Sequence, residues 1–224
     1  MKKVMIDPGH CVGNSNKGPT GYYEYLGMWI ISIILQSMLR AIGVQADLTR
    51  TWDEDPDLKV RGIQAQDYDL FIAEHSNAGG SKGVEVFYDF EKEYDKVNAE
   101  KLSMAVSVIM NTPNRGAKVR TFTDEVHNYY GVIRNAAKTN CKHIFLIENG
   151  FHDNLQDEAF LKDIKNLGKI ALAQTIVISE ILGIAIDYKK LVQSNAYLDN
   201  NTMQYLSFYK YDIDLIKKLG QAML

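Results

Sequence analysis

The chain has 224 residues, 46% hydrophobic and 24% charged, the profile of an ordinary globular protein with room for one substantial domain and a small appendage. A formal net charge of −3 gives no overall attraction to nucleic acid, and two cysteines, Cys11 and Cys141, are too few for a disulfide scaffold. The basic start Met1-Lys2-Lys3 leads into only three apolar residues before Asp7-Pro8, and the longest apolar stretch, Met28 to Leu35, is interrupted by Ser32, so neither a cleavable signal nor a membrane span is expected.

Val4 to Ile6 reads as a short buried strand that stops at Asp7-Pro8-Gly9-His10. After a polar loop, Glu24 to Ile42 reads as a helix with Leu26, Ile30, Ile33, Ile34 and Met38 on one face. Met28, Trp29, Ile31 and Leu35 on its other sides predict burial on more than one side. Gly43 stops it, and Val44 to Thr49 reads as a second strand. Leu58 to Ala65 is a candidate short helix. Leu70 to Ala73 is an apolar run ending at Glu74-His75-Ser76-Asn77, followed by a glycine-rich loop and the alternating strand Val84 to Tyr88. Asn98 to Met110 is helical, with Leu102, Ala105, Val106 and Ile109 at helical spacing. His143 to Ile147 is a buried strand ending at Glu148-Asn149-Gly150, and helices over Asp157 to Leu161 and Leu167 to Leu182 follow. Strands alternating with helices predict an α/β fold, a mainly parallel sheet flanked by helices.

The character changes after residue 184. Residues 188–224 carry five lysines against three aspartates, together with five tyrosines and Phe208. This stretch is read as a small helical C-terminal module, with helices near Asn201 to Tyr209 and Asp212 to Met223, appended to a domain spanning 1–184. A piece this small needs to pack on the main domain or on another copy.

Three strands thus finish in chemistry-bearing residues: His10, Glu74-His75 and Glu148. The carboxyl ends of strands in an open α/β sheet are where sites are built, and Glu24 at a helix start can lean over the same edge. Two imidazoles and a carboxylate make a three-ligand zinc set, and a further carboxylate that is not a ligand can act as general base. On the residues alone, Glu24 and Glu148 compete for these two roles, and no short metal motif such as HExxH is present. A carboxylate directly after an apolar strand, as Glu148 is, costs free energy unless it is exposed, paired or functional.

In these motifs the chain resembles the zinc-dependent N-acetylmuramoyl-L-alanine amidases of bacteria and their phages. IDPGH at 6–10, Glu24 after a polar, glycine-containing loop, GVQADLTR at 43–50, Arg61, DLFIAEHSNAGG at 69–80, GVEVFY at 83–88 and IFLIENGFHDNLQDEAFL at 144–161 occur in the family's order. The resemblance implies that His10, Glu24 and His75 bind Zn2+ and that Glu148 is the catalytic base. It implies peptidoglycan as the partner and the amide between N-acetylmuramic acid and L-alanine of the stem peptide as the bond cut. It departs from the family at Cys11, where glycine is usual, and at Glu74, where an apolar or serine-like residue is usual.

Several plainer readings accompany these. Glu74 is expected to point away from His75, as a surface group or a support for the site. Arg50 and Arg61 are read as salt-bridged to Asp53 or Asp67. His127, His143 and His152 are read as structural or surface residues, with His127 in HNYYG as a candidate groove residue. Cys11 with His75 offers a nucleophile and base, which leaves Glu24 and Glu148 without a role. The expected function is a phage-type endolysin or an autolysin, made in the cytoplasm and acting on the wall after release. The C-terminal module is then a wall-binding or dimer-forming element. The alternatives are a stem-peptide metallopeptidase and a non-catalytic wall-binding protein.

Overall fold

The computed structural model describes residues 1–123 and 126–186. The C-terminal module expected over 188–224 lies outside the described residues. Among the described residues, six strands form one sheet: β1 (Lys3–Pro8), β2 (Gln45–Leu48), β3 (Leu70–Asn77), β4 (Val84–Tyr88), β5 (Asn114–Lys118) and β6 (His143–Phe151), in the order β2-β1-β3-β6-β4-β5. All neighbouring pairs are parallel except β4 against β6, so the sheet is mixed and mostly parallel. The helices are α1 (Glu24–Ala41), α2 (Leu58–Ile63), α3 (Lys96–Met110), α4 (Gly131–Ala136), α5 (Leu155–Leu161) and α6 (Ile164–Ile181).

The strands alternate their side chains between two apolar layers. Val4, Ile6, Leu70, Ile72, Val84, Val86, Phe145 and Ile147 pack with α1, α3 and α6 in the larger one. Met5, Phe71, Ala73, Phe87, Ile144 and Leu146 face the smaller one, closed by Ala65, Val132, Ile133 and Ala136 around α2 and α4. Strands buried on both faces read as continuous apolar runs, which is why β1, β3 and β6 stand out in the sequence.

The structure differs from the sequence reading at three points. The buried stripe of α1 is Met28, Ile31, Ile34, Leu35, Met38 and Leu39, whereas Leu26 and Ile33 are 43% and 39% exposed. The helix is apolar nearly all round, so periodicity alone does not choose its inner face. β5 escapes notice because NRGAK has no apolar alternation; its residues are all half-buried and its place comes from pairing with β4. β3 and β6 run on past their apolar cores, to Asn77 and Phe151, so His75 and Glu148 lie inside strands and not beyond their ends.

Candidate metal centre

His10 follows β1 at the carboxyl edge of the sheet and adopts the left-handed conformation at φ 57°. That conformation is uncommon for a residue with a Cβ and persists where surrounding contacts enforce it. Here two buried arginines do so. Arg61 forks onto Asp7, with Nε 2.7 Å from Oδ1 and Nη2 2.9 Å from Oδ2, and also donates to the Pro8 carbonyl at 2.8 Å. Arg50 donates to the carbonyls of Pro8 and His10. Neither arginine takes the Asp53 or Asp67 partner expected from the sequence; both bolt down the backbone that presents His10. Gly9 lets this segment press onto β3, since a Cβ there would meet the Glu74 carbonyl and the His75 ring.

Glu24 opens α1 and reaches over the same edge. One of its oxygens accepts from the Ser76 N–H at 3.0 Å and lies 3.1 Å from His75 Nδ1. The other accepts from Asn16 Nδ2 at 2.9 Å and lies 3.2 Å from His10 Nε2. Burial alone raises the Glu24 pKa, but hydrogen bonds and charge from His10 and His75 outweigh it and hold the carboxyl well below the usual range. The His10 and His75 rings stand edge to face with centroids 5.1 Å apart. One ligand atom from each of His10, Glu24 and His75 lies within 4.8 Å of the others.

This donor set fits a zinc ion. Tetrahedral bonds of about 2.0–2.1 Å place neighbouring ligand atoms about 3.3–3.5 Å apart. The two imidazole–carboxylate separations, 3.2 Å to one oxygen of Glu24 and 3.1 Å to the other, put both imidazoles within reach of an ion held by that carboxylate. Cys11 is not in this group; its thiol is raised in pKa by burial and by a hydrogen bond with Asp55, the opposite of what a nucleophile needs.

Glu148 on β6 is in register with His75 on β3. Neighbours in register on parallel strands share a face, so the two side chains project together. Glu148 is 7% exposed, and its Oε2 has no hydrogen-bond partner among the described residues. Burial pushes its pKa well above the usual carboxylate range; Glu24 and Glu85 add to the rise and Arg120 opposes it. Glu85 faces it across the β4–β6 pair and is itself held by Arg115, Lys118 and Asn77.

Other expected residues fall elsewhere. Glu74 does point away from His75, but it is fully buried rather than at the surface, accepting from Asn149 at 2.8 Å and Gln174 at 3.0 Å. His152, read as structural or surface, lies 5% exposed beside the centre: its Nδ1 is 3.0 Å from Ser76 Oγ and 4.0 Å from Glu24 Oε2. Its only sequence signal is its place two residues past Gly150, which has a φ of 81° where β6 shifts register against β3. His143 pairs with Asp95 at 2.6 Å, away from the centre. His127 is exposed, next to Asn128, which bridges Thr121.

The profile of the N-acetylmuramoyl-L-alanine amidases matches residues 4–179. The chain belongs to that family. This amidase-family chain matches Cwp6 from Clostridium difficile with a TM-score of 0.72 and 28% identity, over 80% of its own length. It spans only 29% of the Cwp6 chain. The catalytic domain of CwlV, an N-acetylmuramoyl-L-alanine amidase from Bacillus (Paenibacillus) polymyxa, matches at TM-score 0.71 and 26% identity, with 83% of this chain and all 100% of that one covered. AmiC2 of Nostoc punctiforme, another N-acetylmuramoyl-L-alanine amidase, matches at 0.69 and 25%, covering 81% and 97%. No curated protein sequence matches at a significant level. Family membership supports peptidoglycan amidase activity. Among the described residues, no helix is long and apolar enough to cross a membrane.

Proposed function

We propose that the chain is a zinc-dependent amidase that cuts between N-acetylmuramic acid and L-alanine of the stem peptide, acting as a phage-type endolysin. The observation that carries the chemistry is the convergence of ligand atoms of His10, Glu24 and His75 within 4.8 Å, with the buried carboxyl of Glu148 in register with His75 one strand away. The endolysin role is supported by likeness of fold to the catalytic domain of the CD27L endolysin, at TM-score 0.60 and 23% identity.

His10, Glu24 and His75 hold the ion in this reading. A zinc ion supplies Lewis acidity, polarising the scissile carbonyl and acidifying water. Glu148 takes the proton of the attacking water. The water oxygen bonds to the lactyl carbonyl carbon, the C–N bond breaks, and Glu148 returns the proton to the departing L-alanine nitrogen. Burial raises the pKa of Glu148, which makes the carboxylate a stronger base toward water than an exposed one. Ser76, Asn16 and the two arginines fix the ligands before substrate arrives, so little reorganisation accompanies the reaction.

Mass analysis of the products from purified peptidoglycan tests this reading. Whole stem peptides beginning at L-alanine, beside unsubstituted glycan, are expected. Shortened stems still joined to glycan indicate a peptidase, and an intact polymer indicates a binding protein.

A further inference from the structure

A row of aromatic rings runs from the candidate centre toward the β2 edge and has no part in the chemistry above. Tyr23 and Tyr25 flank Glu24, Trp29 lies one turn further along α1, and Trp52 comes from the loop after β2. Ring centroids are 5.7 Å apart for Tyr23 and Tyr25, 5.9 Å for Tyr25 and Trp52, and 5.6 Å for Trp52 and Trp29. The Arg50 guanidinium lies over Trp29 at 5.2 Å. Tyr23 and Trp52 are 40% and 37% exposed, although aromatic side chains gain most from burial. The two tryptophans line an open cavity of about 990 Å³ whose polar groups include Gln36, Arg40, Asp47 and Gln64. That volume is at the upper end of the usual range for ligand sites.

Aromatic faces and planar polar side chains together suit a sugar. A pyranose offers C–H bonds on its flat face to an electron-rich ring, and hydroxyl and acetamido groups around its rim to amides, carboxylates and guanidinium groups. Position points the same way. Arg50, which donates to the His10 carbonyl, also donates to the carbonyls of Thr51 and Trp52. One side chain therefore fixes the platform relative to the proposed metal ligand. On the far side of His75, by contrast, the cluster of Glu85, Arg115 and Lys118 is charged and suits a peptide's ionic groups better than a glycan.

We propose that this row and cavity form a subsite for a β-1,4-linked N-acetylhexosamine strand. The identity of that occupant as the glycan of peptidoglycan rests on the amidase reading. The chain has two tryptophans, and both lie on the platform, so intrinsic emission reports on it directly. The full-length protein is titrated with chitotetraose, which carries no stem peptide and no bond for the enzyme to cut there. A saturable change in emission is expected, with Trp52→Ala weakening the affinity about tenfold by calorimetry and Trp52→Phe restoring part of it. No response from the wild type, or Trp52→Ala binding as tightly as the wild type, overturns the subsite; the wild-type titration decides even where Trp52→Ala does not fold. Sugar binding without hydrolysis of peptidoglycan defeats the amidase reading and leaves the subsite standing, whereas hydrolysis without a sugar response defeats the subsite alone.

Discussion

Glu148 is kept where a carboxylate is costly. In the metal-free protein it is buried beside Glu24 and Glu85, and its pKa is raised. A raised folded-state pKa means that its contribution to stability is complete below the unfolded value, about 4.3, and is lost as pH rises through the folded value. Glu148→Gln is therefore expected to stabilise the chelated protein at pH 8 by about 1–3 kcal/mol, and to lose that advantage near pH 4. Urea denaturation of both proteins at the two pH values checks this; a variant no more stable than wild type at pH 8 removes the strain argued for this residue. The sequence makes Glu148 visible as a carboxylate closing an apolar run, but not its register with His75 nor its lack of a partner. His152 is hidden for the same reason: its nearness to Glu24 follows the register shift of β6 against β3 at Gly150, not any spacing along the chain.

The element that must be placed best is the start of α1, because it carries Glu24. Its N-cap residue, Tyr23, makes no side-chain cap. The preceding loop is instead tied to α5 by Glu158, which accepts from the Thr20 N–H at 2.8 Å and from the Tyr22 N–H at 3.2 Å, while Lys162 donates to the Thr20 carbonyl. Burial raises the Glu158 pKa, and these N–H groups outweigh it and hold the carboxyl below its ordinary range. A depressed pKa gives stability that is present above the unfolded value, about 4.3, and lost as pH falls through the folded one. Glu158→Gln is expected to cost about 1.5–3 kcal/mol at pH 7, and the gap to wild type is expected to close in more acid solution. Equilibrium unfolding as a function of pH measures both; a gap independent of pH argues that packing, not the charge, anchors the loop. Of these elements, α1, β1, β3 and β6 were legible because buried strands and long helices leave continuous apolar runs. β5 and the six-residue α4 were not, since one depends on its partner strand and the other is too short to show a period.

For the whole molecule, the parallel order β2-β1-β3-β6 is what matters. It sets the ends of β1, β3 and β6 side by side, and so gathers His10, His75 and Glu148 from positions far apart in the sequence. Alternation of strands and helices signals such an edge, and the ordered motifs assign roles to it, but the arginine bolts, the aromatic row and the link to α5 are tertiary and leave no periodic trace. The most direct test of the account is the rate at which new L-alanine amino termini appear from purified peptidoglycan, with zinc content measured on each sample. Wild type, chelated wild type and Glu148→Gln are compared side by side. The account predicts that release stops on chelation and returns with zinc, and that Glu148→Gln keeps about one zinc per chain while losing about 10²–10⁴-fold in rate. Release that persists after the metal is removed, or a zinc-loaded Glu148→Gln within a few-fold of wild type, would contradict it.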